Sequence, residues 1–170
     1  MSAIILETGQ LILREFVAED VDALSQVLSD PVTMRFYPAP LRRDQVAEWI
    51  DRNQDRYRTD GHGLWAMLLK STGELIGDCG PTRQMVDGAE EIEIGYHVRR
   101  DLWGKGFAPE AAAAARDWGF RNLKASQLIS LVRVGNIPSR RVAEKIGMEL
   151  WRTTIWRDIE HWVMRVECEQ

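Results

Sequence analysis

Apolar residues recur along this chain at two spacings. Leu11-Ile12-Leu13 before Arg14 reads as a short strand, and behind Glu19-Asp20 the residues Val21, Leu24, Val27 and Leu28 fall on one helical face that Pro31 closes. After a loop rich in proline and aromatics (Phe36, Tyr37, Pro38, Pro40), Val46, Trp49, Ile50 and Tyr57 mark a second helix, stopped by Gly61. Leu64 to Lys70 and Glu74 to Gly80 flank Ser71-Thr72-Gly73, which predicts a β-hairpin. Glu91 to Val98 alternates strictly, with Ile92, Ile94, Tyr96 and Val98 on one face and Glu91, Glu93 and His97 on the other. A glycine-containing loop, Trp103 to Ala108, leads into Pro109-Glu110 and an alanine-rich helix ending near Asn122. Gln127 to Val132 is the next strand. Asn136 stands as N-cap of a helix over Ile137 to Ile146, with Gly147 just past its end. Met148 to Thr154 and His161 to Glu167 finish the chain as an antiparallel pair.

The order of elements predicts a mixed α/β fold with a mostly antiparallel central sheet flanked by helices, and a β-α-β-α stretch between Glu91 and Ile146. A wholly parallel doubly wound sheet does not fit. No repeat and no Pro/Gly/Ser-rich linker divides the 170 residues, so residues 1–170 are expected to form one domain.

Charge and composition narrow the function. With 22 Lys+Arg against 26 Asp+Glu the net charge is -4, without the basic footprint of a nucleic-acid binder. The longest apolar runs, such as Leu64 to Leu69 and Ala111 to Ala115, fall far short of the roughly 18 residues of a membrane span. The first ten residues do not read as a signal peptide, and a cytoplasmic protein is the expectation. Cys79 and Cys168, with no third ligand nearby, offer neither a disulfide framework nor a zinc site and read as structural thiols. His62 and His161 stand alone, without metal-ligand spacing, and suit the surface or a pocket rim. Seven tryptophans in 170 residues either fill a core or line a pocket.

The strongest chemical signal is Trp103-Gly104-Lys105-Gly106-Phe107-Ala108 between a strand and a helix. Small residues let the backbone approach a ligand, and free N–H groups at a helix start suit a pyrophosphate, although a plain tight turn explains the glycines equally well. A nucleoside-triphosphate loop would need Lys-Ser/Thr after the second glycine, where Phe107-Ala108 stands. A dinucleotide fingerprint would need a small residue where Pro109 stands, and a preceding strand without charges.

With Leu11-Ile12-Leu13-Arg14, Gly95-Tyr96, Trp103 to Ala108, Asn136-Ile137-Pro138-Ser139 and Glu144-Lys145-Ile146-Gly147-Met148 in that order, the chain resembles the GNAT acetyltransferases over nearly its whole length. Within them it is similar to the RimJ/RimL-like ribosomal-protein N-terminal acetyltransferases. The wider family pattern is Gln/Arg-x-x-Gly-x-Gly/Ala; Gly106, Phe107 and Ala108 fit, while Trp103 stands at the Gln/Arg position, as is usual for that subgroup. The resemblance implies acetyl-CoA as co-substrate and no metal. Gly104, Lys105, Gly106, Phe107 and Ala108, with Trp103, would hold the pyrophosphate, Val98 and Arg99 at the strand end would pair with the pantetheine, and Asn136 would bond the same arm. A homodimer fits the resemblance.

Acyl transfer to an amine needs a base for the amine and an acid for the CoA thiolate. Glu93, two residues before Gly95 on the charged face, is the expected base, with Glu91 and His97 as alternatives on that face, and a solvated surface role for all three as the plain reading. Ser139 matches the subgroup's serine near the CoA sulfur and is the expected acid; Tyr96, on the apolar face, is expected to serve the core. Arg140 and Arg141 could meet CoA phosphates or pair with Glu144, and Arg42-Arg43 is similarly open. Trp103 belongs to the loop, Trp49 and Trp118 to helix faces at core spacing and Trp65 to the hairpin; Trp151, Trp156 and Trp162 are expected beside the acceptor entrance, where ring faces would suit a cationic or partly apolar amine. The acceptor is either a protein N-terminal α-amine or a small amine. The alternative is a CoA-binding sensor that keeps Gly104, Gly106 and Asn136 without a working base or acid.

Overall fold

The computed structural model describes residues 2–169. Its strands are β1 (Ile4–Glu7), β2 (Leu11–Arg14), β3 (Trp65–Leu69), β4 (Leu75–Val86), β5 (Ala89–Val98), β6 (Gln127–Arg133), β7 (Glu149–Trp156) and β8 (Ile159–Glu167). They form one sheet in the order β1-β2-β3-β4-β5-β6-β8-β7. The helices are α1 (Val21–Leu28), α2 (Arg43–Asp60), α3 (Phe107–Leu123) and α4 (Ile137–Lys145). Every neighbouring pair is antiparallel except β5 and β6, which α3 joins by the crossover that a parallel pair requires. The expected mixed α/β sheet is therefore present.

Helices cover both faces. On one, Leu11, Leu13, Trp65, Met67 and Ile94 pack against Ala111, Ala112 and Ala115 of α3 and Ala143 of α4, small side chains that let the helices lie close to the sheet. On the other, Leu64, Ala66 and Leu75 pack with Phe16, Leu24, Val27, Val46 and Ile50 beneath α1 and α2. Each fully buried leucine here contributes about 1.5–3 kcal/mol.

β5 and β6 share a single paired position, Glu93 with Ile129. Beyond it, side chains serve the backbone groups that a longer ladder would have used. The Ser130 hydroxyl donates to the Ile94 carbonyl at 2.8 Å, and Glu93 accepts the Leu131 N–H at 3.2 Å. A gap between two parallel strands thus opens beside the charged face of β5.

Several elements differ from the sequence reading. β1 was not expected, and β4 runs on to Val86, turning into β5 through Asp87 and Gly88 at φ 51° and 80°, the two left-handed positions of a type I′ hairpin. α3 begins two residues earlier than Pro109, at Phe107, and Pro109 stands in its first turn as expected. His62 is buried, with Nδ1 2.6 Å from the Pro81 carbonyl and its ring beside Trp118. The surface or pocket-rim role expected for it fails because the chain after Gly61 crosses tightly over β4: a Cβ on Gly80 would lie 2.1 Å from the Gly63 carbonyl oxygen. Cys79 is buried, which pushes its thiol pKa well up, and Cys168 is exposed.

Candidate active site

Two cavities lie in line along the end of β5. The first, ≈ 370 Å³, is walled by Val98, Trp103, Gly104, Gly106, Phe107 and Ala108, and across from them by Asn136, Pro138 and Ser139 at the start of α4. Gly104 (φ +76°) and Gly106 (φ +83°) hold left-handed backbone that other residues adopt only under strain. This turn leaves the N–H groups of residues 104–108 without acceptors among the described residues, all at the start of α3. The Trp103 indole N–H donates to the Val98 carbonyl at 2.7 Å and ties the loop to the strand end. Arg99 and Lys105 lie outside the walls of both cavities. Arg99 is turned back on β4: its N–H donates to the Ile76 carbonyl at 2.7 Å and its guanidinium to Asp101 at 2.7 Å.

Asn136 caps α4, accepting the Ser139 N–H at 3.2 Å. Ser139 meets the one hydroxyl that the alternation had consigned to the core. The Tyr96 ring packs against the apolar cluster, but its hydroxyl reaches the cavity wall, donating to the Ser139 carbonyl at 2.7 Å and accepting from the Ser139 hydroxyl at 3.2 Å. Burial raises the Tyr96 pKa above the ordinary phenol range, so the hydroxyl keeps its proton at neutral pH.

The second cavity, ≈ 600 Å³, lies between the polar face of β4 and β5, α2 and the β7–β8 turn. Strand register builds its floor. β4 and β5 pair without interruption from Gly77 with Val98 to Val86 with Ala89, so Asp78 faces His97 and Thr82 faces Glu93. Glu93 is held by the Leu131 N–H and by Gln84 at 3.3 Å; burial raises its carboxyl pKa, opposed by the Leu131 N–H, Arg157, Gln84 and His97. Glu91 lies outside the walls of both cavities, bonded to the Gln127 amide at 2.9 Å.

His97 is the best-held group. Its Nδ1 lies 2.7 Å from the wholly buried Asp78 carboxylate, whose other oxygen accepts the Trp49 indole N–H at 3.0 Å. A carboxylate only accepts, so Nδ1 carries the proton and Nε2 is left as acceptor, 2.6 Å from the Tyr37 hydroxyl. Burial by itself would lower the His97 pKa, but the charge and hydrogen bond of Asp78, with Glu93 adding to them, leave it raised. Tyr96, His97, Asn136 and Ser139, with Phe36 and Tyr37, wall both cavities and mark where they meet.

Other side chains meet some expectations and depart from others. Of the three C-terminal tryptophans only Trp156 lines the second cavity; Trp151 lies under Arg152 and Arg165 at 4.2 and 4.3 Å, and Trp162 under Arg140 at 4.6 Å. Trp49 packs against the core as expected and also lines the cavity, where its indole N–H donates to Asp78. His161 is also in that wall, edge-on to Trp156 at 5.5 Å. Arg140 pairs with Glu144 at 3.0 Å, Arg42 with Asp44 at 3.1 Å and Arg43 with Asp22 at 2.8 Å, while Arg141 lines the first cavity.

The chain is similar to known proteins. YkkB of Bacillus subtilis (strain 168), a protein named as uncharacterized, is 38% identical over 149 residues, 87% of each chain. The uncharacterized N-acetyltransferase p20 of Bacillus licheniformis is 32% identical over 158 residues, 91% of this chain and 86% of its own. The crystal structure of an acetyltransferase from Agrobacterium tumefaciens str. C58 superposes with a TM-score of 0.85 at 30% identity, covering 99% of this chain and 96% of that one. Residues 10–149 match the model of the acetyltransferase (GNAT) domain. A glycine-bound helix start at the end of a strand, opening onto a polar cleft, thus has a family: the chain belongs to the GNAT acetyltransferases and is an N-acetyltransferase.

Proposed function

We propose that the chain transfers the acetyl group of acetyl-CoA directly to a primary amine, with both substrates bound together. One observation carries this reading: a cavity with unpartnered backbone donors meets a second, carboxylate-containing cavity at Tyr96, His97 and Ser139. The first cavity fits acetyl-CoA. The N–H groups of residues 104–108 are suited to the pyrophosphate, and Arg35, Arg141 and Lys145 in the same wall supply positive charge for its phosphates. Val98, Trp103 and Asn136 frame the path of the pantetheine, while Arg99 and Lys105 contribute through backbone or not at all.

Proton balance distributes the remaining roles. An ammonium loses two protons on becoming an amide, and the departing thiolate gains one. Glu93, in the acceptor cavity with a raised pKa, takes the first. His97 Nε2, at the meeting point and oriented by Asp78, takes the second as the nitrogen attacks. The Ser139 hydroxyl turns from Tyr96 to the thiolate and passes it a proton, and the serine oxygen takes a proton back through the Tyr96 hydroxyl beside it, made good by one of the two that the amine released. No step needs a covalent acyl-enzyme.

The test is release of free thiol from acetyl-CoA with a panel of amines and peptide N-termini. Turnover that falls in both Glu93→Gln and His97→Gln, with acetyl-CoA binding kept, is the expected result. Tight CoA binding with no turnover on any amine would instead favour the sensor. Kinship to the RimJ/RimL-like subgroup, which Trp103 and Ser139 support, puts peptide N-termini on the panel.

A further inference from the structure

Arginines on this chain are mostly paired, and the exceptions cluster. Among the described residues, those with no carboxylate within 4.0 Å are Arg35 and Arg141 in the first cavity, Arg52, Arg56, Arg133 and Arg157 in the second, and Arg121 elsewhere. Four guanidiniums thus surround a cavity whose wall holds one carboxylate, Glu93, in a chain of net charge -4.

Each of the four is held by something other than an acid. Arg52 lies over the Trp49 ring at 5.8 Å and Arg157 over Trp156 at 4.2 Å. Arg56 donates to the Asn53 amide oxygen at 3.1 Å and Arg133 to the Phe36 carbonyl at 2.9 Å. Burial lowers the Arg56 pKa, and the charges of Arg52 and Arg157 lower it further, so Arg56 feels both of the other guanidiniums. Glu93 and Asp60 oppose that effect on Arg56, but one carboxylate in the wall against four guanidiniums leaves an excess of positive charge that a bound anion would offset. One face of Trp49 and one face of Trp156 already carry guanidiniums of the protein, so these rings have less to offer the ammonium of an acceptor than its apolar body.

We propose that the acceptor is a small amine that carries an anionic group, a carboxylate or a phosphate, bound by Arg52, Arg56 and Arg157 with Arg133 at the opposite wall, while its ammonium faces Glu93 and its apolar body lies between Trp49 and Trp156. Planar guanidiniums suit both anions, which they bind in bidentate fashion. This deepens the acetyltransferase reading and rests on it.

The experiment compares matched amines by thiol release from acetyl-CoA: phenylalanine against phenylethylamine, phosphoethanolamine against ethanolamine, and a tripeptide with acidic second and third residues against one with lysines there. The anionic member of a pair is expected to have a kcat/KM about 10–100-fold higher, the ratio of one or two charge-assisted hydrogen bonds. The carboxylate and phosphate pairs identify the anion, and a preference confined to the tripeptides would overturn the small-molecule assignment. The double variant R56A/R157A is expected to collapse the ratio towards one, and R56K/R157K to restore part of it. Anion-free amines turned over as well as their partners, or a ratio that survives R56A/R157A, would overturn the proposal and leave the acetyltransferase reading standing. If no amine is turned over, that reading fails. Inorganic phosphate and acetate then decide the anion site alone: stabilisation against heat that R56A/R157A abolishes supports it, and none overturns it.

Discussion

Asp78→Asn separates the roles assigned to the β4–β5 pair. Asp78 is wholly buried and accepts two bonds, from Trp49 Nε1 at 3.0 Å and His97 Nδ1 at 2.7 Å. Asparagine has the same shape but offers one acceptor and one donor group, so it satisfies only one of these neighbours as they stand. With its oxygen towards His97, its amide faces the Trp49 N–H, and the unmet buried donor costs about 1–3 kcal/mol. With its oxygen towards Trp49, its amide faces Nδ1, and His97 must move its proton to Nε2. The second arrangement costs less, because the Tyr37 hydroxyl at 2.6 Å can rotate to accept. Stability is then nearly kept, with melting lowered by a few degrees at most for a domain of this size. Catalysis is not kept, since Nε2 no longer accepts a proton, and losing a positioned base costs about 10²–10⁴ in rate. Without the charge of Asp78, burial dominates and the residual His97 pKa falls below 6.5 instead of lying above it. The assay is kcat/KM for the acceptor against pH, paired with thermal melting. A lower plateau with its acidic limb moved to lower pH is expected, and an unchanged profile, or a rate loss that merely tracks lost folded protein, would refute the roles given to Asp78 and His97.

Other perturbations read other links. Because burial raises the Glu93 pKa above 4.5, the folded chain holds that proton more tightly than the unfolded one, and Glu93 costs stability as pH rises through its folded pKa. Glu93→Gln should therefore melt higher than the parent at pH 8, with a smaller gain at pH 4, while turnover falls; an equal or negative change at pH 8 would contradict the cause given for the shift. Gly106→Ala meets no neighbour within 4 Å, so its cost is the left-handed backbone alone, about 1–2 kcal/mol, seen as a lower melting temperature together with weaker acetyl-CoA saturation. Gly80→Ala drives a Cβ to 2.1 Å from a backbone oxygen and should cost about 3 kcal/mol or more in urea unfolding, far beyond Gly106→Ala.

Much of the site was legible because it is local. The turn at Gly104 to Gly106, the cap at Asn136 and the shared face of Glu93 and His97 all follow from neighbours within a few residues, and the structure has all three. A further local signal is Asp87-Gly88, a strong hairpin dipeptide that extends β4 and brings Thr82 and Gln84 beside β5. Tyr96 misled for a different reason. Alternation assigns a whole side chain to one face, whereas a tyrosine can bury its ring and deliver its hydroxyl to a cavity at the edge of that face.

Periodicity and caps act over one or two turns of chain, and so the order of elements from β2 onward, the glycine turn between β5 and α3 and a charged face in the middle of the sheet are all written in the residues themselves. What that face does depends on packing between distant elements. Asp78 reaches His97 through the register of β4 on β5, Trp49 reaches Asp78 because α2 lies across that face, and Arg52, Arg56, Arg133 and Arg157 converge from α2, β6 and the β7–β8 turn. Such convergence depends on how distant elements pack, and the spacing of residues along one element does not report it.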